Sequence, residues 1–169
     1  MLNLIINSFW LILPAYFANF FPVLLKGKCP IDRRKKFVDG NRVFGDGKTI
    51  EGFIGGFLIG ILIGLIQIYF QSYLPLQFYH NLLTITLLSF GAVFGDLIGS
   101  FVKRRFGLKR GDSAPLLDQL DFLIISLVFL SLIAKISFSI VIFLVIITPI
   151  IHLLSNIFAY LFKLKDKPW

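Results

Sequence analysis

The chain has 169 residues, of which 57% are hydrophobic and only 15% are charged, and its mean hydropathy is +0.85. This composition excludes an ordinary soluble domain and predicts an all-α integral membrane protein. The 17 Lys and Arg exceed the 9 Asp and Glu by a net charge of +8. In a membrane protein such an excess is typical of cytoplasmic loops, so we expect the lipid bilayer and no nucleic acid as a partner.

Five apolar segments predict five transmembrane helices in one domain that covers residues 1–169. A helix needs about 20 residues to cross a hydrocarbon core of about 30 Å. The fourth segment reaches that length only if Asp118 and Asp121 sit at its wet end. The first segment lacks a basic leader and a cleavage site, so we interpret it as a retained span. The predicted spans are residues 2–25, 52–70, 82–102, 114–134 and 136–162.

The basic residues predict the orientation of these spans. All Lys and Arg except Lys135 lie in loop 26–51, in loop 103–113 or in the tail after residue 162. Alternation therefore places the N-terminus outside and the C-terminus in the cytoplasm. The acidic residues lie in or beside the same three regions, so we expect a multi-pass protein of the cell membrane whose active site faces the cytoplasm.

The second span carries a glycine at every fourth position. The spacing gives overlapping GxxxG patterns on one helical face, which allow another helix to approach closely. Packing within the chain is the favoured interpretation, and homodimerisation through this span is the alternative. The glycines are Gly52, Gly56, Gly60 and Gly64.

The loop before the second span ends in FGDGKT, residues 44–49. Lys48 and Thr49 precede a helix, so the loop would aim backbone N–H groups, an ammonium and a hydroxyl at a phosphate. It is not a Walker A loop, because the leading glycine and the spacing differ. Taken alone, the loop is more typical of a plain turn in which Thr49 caps the helix.

The segment 95–121, GDLIGSFVKRRFGLKRGDSAPLLDQLD, concentrates charge beside hydrocarbon. Asp96, Ser100 and Lys103 share one helical face at i, i+4 and i+7. On the next helix Asp118 and Asp121 stand three residues apart, again on one face. An aspartate at a helix centre costs about 2.5 to 3.5 kcal/mol in a membrane, so these three carboxylates need cationic compensation.

Two kinds of compensation are consistent with the sequence. One is ion pairing with the basic residues of 103–110. The other is a bound divalent cation, and oxygen ligands without a His or Cys cluster suit Mg²⁺ better than Zn²⁺. Carboxylates, Mg²⁺ and basic side chains together are the components of phosphoryl or nucleotidyl transfer.

The same segment resembles the signature of the CTP-dependent phosphatidate cytidylyltransferases. Segment 95–122, together with 13–27 and 30–52, is similar to the archaeal branch of that superfamily, the CDP-archaeol synthases. Two residues separate Lys109 from Asp112, and Gln119 stands where the ester-lipid signature has Arg, which favours the ether-lipid branch. The residues that carry the resemblance are Ser100, Phe101, Val102, Lys103, Arg104, Lys109, Asp112, Pro115, Asp118 and Asp121.

The resemblance implies that CMP passes from CTP to the phosphate of 2,3-bis-O-geranylgeranylglyceryl phosphate, an unsaturated archaeal ether lipid. The products would be CDP-archaeol, for phospholipid biosynthesis, and pyrophosphate, with Mg²⁺ as cofactor. The implied catalytic residues are Asp96, Lys103, Asp112, Asp118 and Asp121, and the implied metal ligands are Asp96, Asp118 and Asp121. The implied contacts to the CTP phosphates come from Lys48, Thr49, Ser100, Lys103, Arg104, Lys109 and Arg110.

Other functions fit the sequence less well. A phosphatidate cytidylyltransferase acting on ester lipids is the nearest alternative. The CDP-alcohol phosphotransferase signature starts at Asp39 but does not continue. A small transporter or channel subunit would spread ionisable groups through the membrane depth, whereas here they lie at one edge. His80 and His152 are interpreted as local hydrogen-bonding residues, and Cys29 is given no role.

Overall fold

The computed structural model describes residues 1–25, 27–109 and 111–163 and is all-α. A short 3₁₀ turn follows α2, and within the described residues β pairing is limited to two isolated bridges. The five helices are α1 Leu2–Leu25, α2 Ile50–Phe70, α3 Leu82–Arg105, α4 Leu117–Ser131 and α5 Phe138–Leu161.

Four of these helices are long and apolar enough to cross a membrane, namely α1, α2, α3 and α5. Their bounds agree with the predicted spans to within three residues. The C-terminal end of α3 differs most, because the helix continues through its basic last turn to Arg105, where cations interact favourably with the helix dipole. The chain is therefore a multi-pass membrane protein.

The helix in the predicted fourth span, residues 114–134, is shorter than the span itself. α4 has 15 residues, which gives about 22 Å at 1.5 Å per residue. Residues 112–116 do not join it, because Leu116 has a φ of +67°, a conformation that interrupts a helix. Within the described residues, four helices rather than five meet the length of a span.

The glycine face of α2 is used within the chain. A Cβ added at Gly56 would lie 2.5 Å from the Ala18 carbonyl oxygen of α1, and one at Gly60 would lie 2.5 Å from Ser89 Oγ of α3. Such contacts leave no room for a side chain. The interpretation as intramolecular packing is confirmed, and this face is covered by α1 and α3.

A second glycine ridge joins α3 to α4, the helix pair with the most extensive contact. A Cβ added at Gly91 would lie 2.6 Å from Ser126 Cα, and one at Gly95 would lie 2.5 Å from the Asp121 carbonyl oxygen. At Gly99 the added atom would collide with the Asp121 carboxylate. The ridge thus allows Asp121 to lie directly against the backbone of α3.

Candidate active site

A cavity of about 540 Å³ opens at one end of the bundle, where residues 27–49, 106–109 and 111–116 lie. We call this the loop end. All five helices contribute to the cavity wall, because α1, α3 and α5 finish at this end while α2 and α4 begin there. Seven of the residues predicted for the site line it, namely Lys48, Thr49, Asp96, Ser100, Lys103, Asp112 and Asp118.

Lys103 connects α3 to α4 at the cavity wall. Its Nζ lies 2.9 Å from both carboxylate oxygens of Asp118 and donates to the Asp112 carbonyl oxygen at 2.6 Å. Asp118 also accepts a hydrogen bond from the Ala114 backbone N–H at 3.0 Å. The side chain of Lys103 is only 11% exposed. One ammonium therefore fixes the start of α4 and the preceding loop against α3.

Lys48 forms the second ion pair of the cavity. Its Nζ lies 2.5 Å from Asp96 Oδ2, so the first loop contacts the first residue of the charged strip on α3. Thr49 beside it caps α2, since its hydroxyl oxygen accepts from the Gly52 N–H at 3.1 Å. The N-cap interpretation of Thr49 is confirmed. Ion pairing as compensation is also present, although Lys48 lies outside the segment expected to supply it.

Asp121 does not line the cavity. It lies one turn deeper on α4, beside Gly95 and Gly99 of α3, and interacts electrostatically with Asp96 and Asp118. Its Oδ1 accepts from the backbone N–H of Phe122 at 2.6 Å. The three predicted carboxylates thus share one neighbourhood, but only two of them face the open volume.

Three of the predicted phosphate-binding residues are not placed on the cavity wall. Arg104 lies beside Gly45 and donates to the Leu108 carbonyl oxygen. The backbone N–H of Lys109 donates to the Asp112 carboxylate at 2.6 Å. Arg110 lies outside the described residues. Their contacts with CTP stay predictions.

The donor atoms at this end fit a hard divalent cation by their chemistry. Asp96, Asp118 and Asp121 supply carboxylate oxygens, the ligands that Mg²⁺ prefers. In the part of the chain that the structure describes, however, no three Asp, Glu, His or Cys side chains form a group that could hold a metal ion. Asp96 and Asp118 are instead paired with Lys48 and Lys103. These ammonium groups supply the positive charge that the carboxylates need.

The loop before α2 is organised around Asp32, which the sequence analysis did not identify. Its carboxylate accepts five hydrogen bonds, two from the Arg42 guanidinium and one each from the backbone N–H of Arg34, Phe44 and Gly45. Burial raises the pKa of Asp32, but these bonds outweigh it and hold the pKa well below its usual range. Asp32 is therefore ionised at any physiological pH. Gly40 and Gly45, at φ values of +78° and +93°, were the glycine signals of tight turns in this loop.

The same loop is attached to the end of α3 through Arg105. The guanidinium pairs with Asp39 at 2.9 Å and donates to the Arg42 carbonyl oxygen at 2.6 Å. It also lies over the rings of Phe37 and Phe101, 4.6 and 4.7 Å from their centroids. Cation–π and ionic contacts together hold the loop over the loop end of the bundle.

An apolar groove of about 360 Å³ adjoins the polar cavity between α1 and α5. The two share four lining residues, Asn19, Val23, His152 and Asn156. Along the groove the Tyr16 hydroxyl lies 2.8 Å from the Thr148 hydroxyl, and Phe17 and Phe20 line its side. A charged cavity that continues into an apolar groove suits an amphiphilic ligand with a charged head.

Comparison with known proteins shows the family to which the chain is similar. The family model described as "CarS-like: CDP-archaeol synthase" matches residues 1–169. A CDP-archaeol synthase of Pyrococcus abyssi is 49% identical over 99% of this chain and 100% of its own. Those of Archaeoglobus fulgidus and Methanocaldococcus jannaschii are 45% and 44% identical, over at least 98% of each chain.

A solved structure is also similar. It is described as an intramembrane enzyme for archaeal membrane lipids biosynthesis, and it superposes with a TM-score of 0.81 at 36% identity. The match covers 90% of this chain and 94% of that chain. The helical arrangement that forms the cavity therefore has a counterpart in an enzyme of membrane lipids.

Proposed function

The chain belongs to the CDP-archaeol synthase family, and we propose that its loop-end cavity is the site at which CTP and a lipid phosphate react. The chain is a CTP-dependent lipid-phosphate cytidylyltransferase. It transfers CMP from CTP to the phosphate of the unsaturated ether lipid 2,3-bis-O-geranylgeranylglyceryl phosphate. The products are CDP-archaeol and pyrophosphate.

One observation is the main support for placing the reaction in this cavity. The ion pairs Lys48–Asp96 and Lys103–Asp118 both lie on the wall of one cavity, and that cavity continues into an apolar groove. Ammonium groups suit a triphosphate, and the groove suits hydrocarbon chains. A transferase that joins a soluble nucleotide to a membrane lipid needs both in contact.

The chain's own residues have two tasks in the reaction, charge stabilisation and orientation of the phosphates. The lipid phosphate oxygen is already anionic at neutral pH, so it attacks the α-phosphorus of CTP without a catalytic base. A P–O bond to the lipid forms, the bond between the α- and β-phosphates breaks, and pyrophosphate leaves with the electron pair. Lys48 and Lys103 stabilise the negative charge that develops, and the hydroxyls of Thr49 and Ser100 orient the phosphate oxygens.

Mg²⁺ is the proposed cofactor, with Asp96, Asp118 and Asp121 as the residues that would hold it. When bound, the ion neutralises charge on the triphosphate and on the leaving pyrophosphate. The ammonium groups that neutralise Asp96 and Asp118 in this structure would then be available to the phosphates.

The groove between α1 and α5 is the proposed place of the lipid chains. Phe17, Phe20 and Val23 provide an apolar wall, and the groove meets the cavity at Asn19. A lipid in this position would present its phosphate to the nucleotide from the side of the bundle.

The proposal includes the orientation of the protein in the membrane and the number of times the chain crosses it. Basic residues crowd the loops at the loop end, which favours a cytoplasmic location for the cavity in the cell membrane. α4 would complete a fifth crossing together with the non-helical residues on either side of it. CTP is a cytoplasmic substrate, so this orientation exposes the cavity to it.

The test is turnover by the purified protein in lipid vesicles. The protein is supplied with CTP, Mg²⁺ and either ether-linked or ester-linked lipid phosphate, and pyrophosphate release is followed. We expect release with the ether lipid and its loss when Mg²⁺ is chelated. Release with phosphatidate alone would assign the ester-lipid reaction instead, and no release with either lipid would contradict the proposal.

A further inference from the structure

We propose that Asp32 is a positioning residue for nucleotide binding, which acts by holding the loop that presents Lys48 to the cavity. Asp32 does not line the cavity, so it has no direct contact with a ligand there. The inference rests on the proposed function, because it assigns Lys48 to the triphosphate. It adds a residue that neither the sequence motif nor the family resemblance identified.

The surroundings of Asp32 hold its carboxylate in one fixed position. Its side chain is only 1% exposed. Arg42 donates to it through Nε at 3.2 Å and through a terminal nitrogen at 2.6 Å, a bidentate geometry that defines the relative orientation of both groups. The backbone N–H groups of Arg34, Phe44 and Gly45 complete its bonding at 3.0 Å each. A single carboxylate thus fixes the chain three residues before Lys48.

Lys48 is connected to Asp32 from two directions. On one side the Lys48 N–H donates to the carbonyl oxygen of Gly45, the residue whose own N–H is held by Asp32. On the other side Ile31, the neighbour of Asp32, donates its N–H to the Lys48 carbonyl oxygen at 2.9 Å. The bridge between Pro30 and Thr49 continues this pairing. Movement of Asp32 would therefore displace the backbone from which the Lys48 ammonium reaches Asp96.

The negative charge of Asp32 also favours a role outside the cavity, away from the triphosphate. A carboxylate close to a triphosphate would repel it, but this one is neutralised by Arg42, whose other terminal nitrogen pairs with Asp46 at 2.8 Å. Arg42 is in turn anchored to α3, since its carbonyl oxygen accepts from Arg105. The arrangement transmits the position of α3 to the loop without placing negative charge in the cavity.

The first experiment compares Asp32→Asn with Asp39→Asn. Asp39 is the matched control, because it lies in the same loop and also pairs with an arginine. In Asp39→Asn the Arg105 guanidinium keeps its bond to the Arg42 carbonyl oxygen and its contacts with the rings of Phe37 and Phe101, so the loop stays attached to α3. Binding of CTP in the presence of Mg²⁺ is measured by calorimetry on the full-length protein, together with KM for each substrate. We expect Asp32→Asn to raise the Kd and KM for CTP at least tenfold and leave KM for the lipid phosphate unchanged. Asp39→Asn should change each value less than twofold.

A double-mutant cycle with Lys48→Gln separates positioning from a general loss of structure. If Asp32 acts through Lys48, the double variant binds CTP as weakly as Lys48→Gln alone. Additive losses, or wild-type CTP affinity in Asp32→Asn, would overturn the inference. Should Asp32→Asn fail to fold, Arg42→Gln removes the bidentate contact but keeps the backbone bonds, and the same non-additivity with Lys48→Gln is expected of it.

The cycle also distinguishes this inference from the proposed function. Weaker CTP binding in Lys48→Gln with full binding in both Asp32→Asn and Arg42→Gln would contradict the inference alone. Wild-type protein that does not bind CTP, or Lys48→Gln that binds it normally, would contradict the role proposed for the cavity and the inference with it.

Discussion

The two ends of the bundle bury polar groups in different ways. At the loop end, Lys103 pairs with Asp118 beside an open cavity. At the opposite end, which carries residues 71–81, the buried polar groups are neutral. Gln67 and His80 both contact the Trp10 carbonyl oxygen, at 2.7 and 3.2 Å.

The neutral cluster has a structural explanation. His80 and Gln71 exchange two hydrogen bonds, His80 N–H to Gln71 Oε1 at 2.8 Å and Gln71 Nε2 to the His80 carbonyl oxygen at 3.1 Å. Asn7 accepts from the Gln77 N–H at 2.7 Å. These bonds fix the 71–81 loop on α1. Buried polarity alone therefore does not mark a functional site in this protein, and our proposal rests instead on buried charge beside open volume.

The largest effect should follow from removing charge at the loop end. Asp118→Asn and Asp121→Asn keep the side-chain shape but lose the carboxylate that we assign to the cation. We expect each to lower turnover by about 10³-fold while the protein still inserts and folds. Pyrophosphate release measures the loss, and Asp39→Asn is the control. Full activity in either variant would refute its assignment as a metal ligand.

Lys103→Gln should have the next largest effect. It removes the ammonium that contacts both Asp118 and the Asp112 carbonyl oxygen, so charge stabilisation at the phosphates is lost. We expect kcat/KM for CTP to fall by about 100-fold. Lys103→Arg keeps the charge and should retain more activity than Lys103→Gln. Equal activity in the two variants would show that the charge of Lys103 does not matter.

Gly99→Ala tests the contact between α3 and α4. The added methyl group meets the Asp121 carboxylate, so the helices must separate or the side chain must turn. We expect the free energy of unfolding to fall by about 1–3 kcal/mol and turnover to fall with it. Gly55→Ala is the control, since its methyl group meets only the flexible end of Leu25. Thermal unfolding in detergent should be normal for the control, and equal losses in both variants would contradict the account.

The smallest effect is expected at the neutral end and depends on pH. Burial lowers the pKa of His80 below its ordinary value of about 6.5, so the unfolded chain takes up a proton at a higher pH than the folded chain. Stability is therefore full above about pH 6.5 and decreases as the pH falls below it. His80→Gln should flatten the dependence of unfolding temperature on pH between about 6.5 and 5. An unchanged slope would show that His80 is not its source.

Much of the site was predictable because helical spacing alone aligns Asp96, Ser100 and Lys103. The loop-end position of Lys48 and Thr49 followed from the helix start. The pairing of Lys48 with Asp96 was not predictable, since it joins residues 48 apart whose contact depends on how a long loop folds.

Two further features escaped prediction for physical reasons. The role of Asp32 depends on backbone N–H groups, which have no sequence signature. The short α4 depends on the φ of Leu116, a residue without a local preference for that conformation. The ridge of Gly91, Gly95 and Gly99 did have a signal, the same spacing of four as in α2, and it explains why Asp121 lies against α3.

The proposed function requires the charged cavity to bind a nucleoside triphosphate together with a divalent cation. Calorimetric titration of the purified wild-type protein with CTP, once with Mg²⁺ present and once with Mg²⁺ chelated, is the decisive experiment. We predict saturable binding with Mg²⁺, at least tenfold weaker binding without it, and the same weak binding in Asp118→Asn under both conditions. Equal affinity for CTP in all four titrations would contradict the claim.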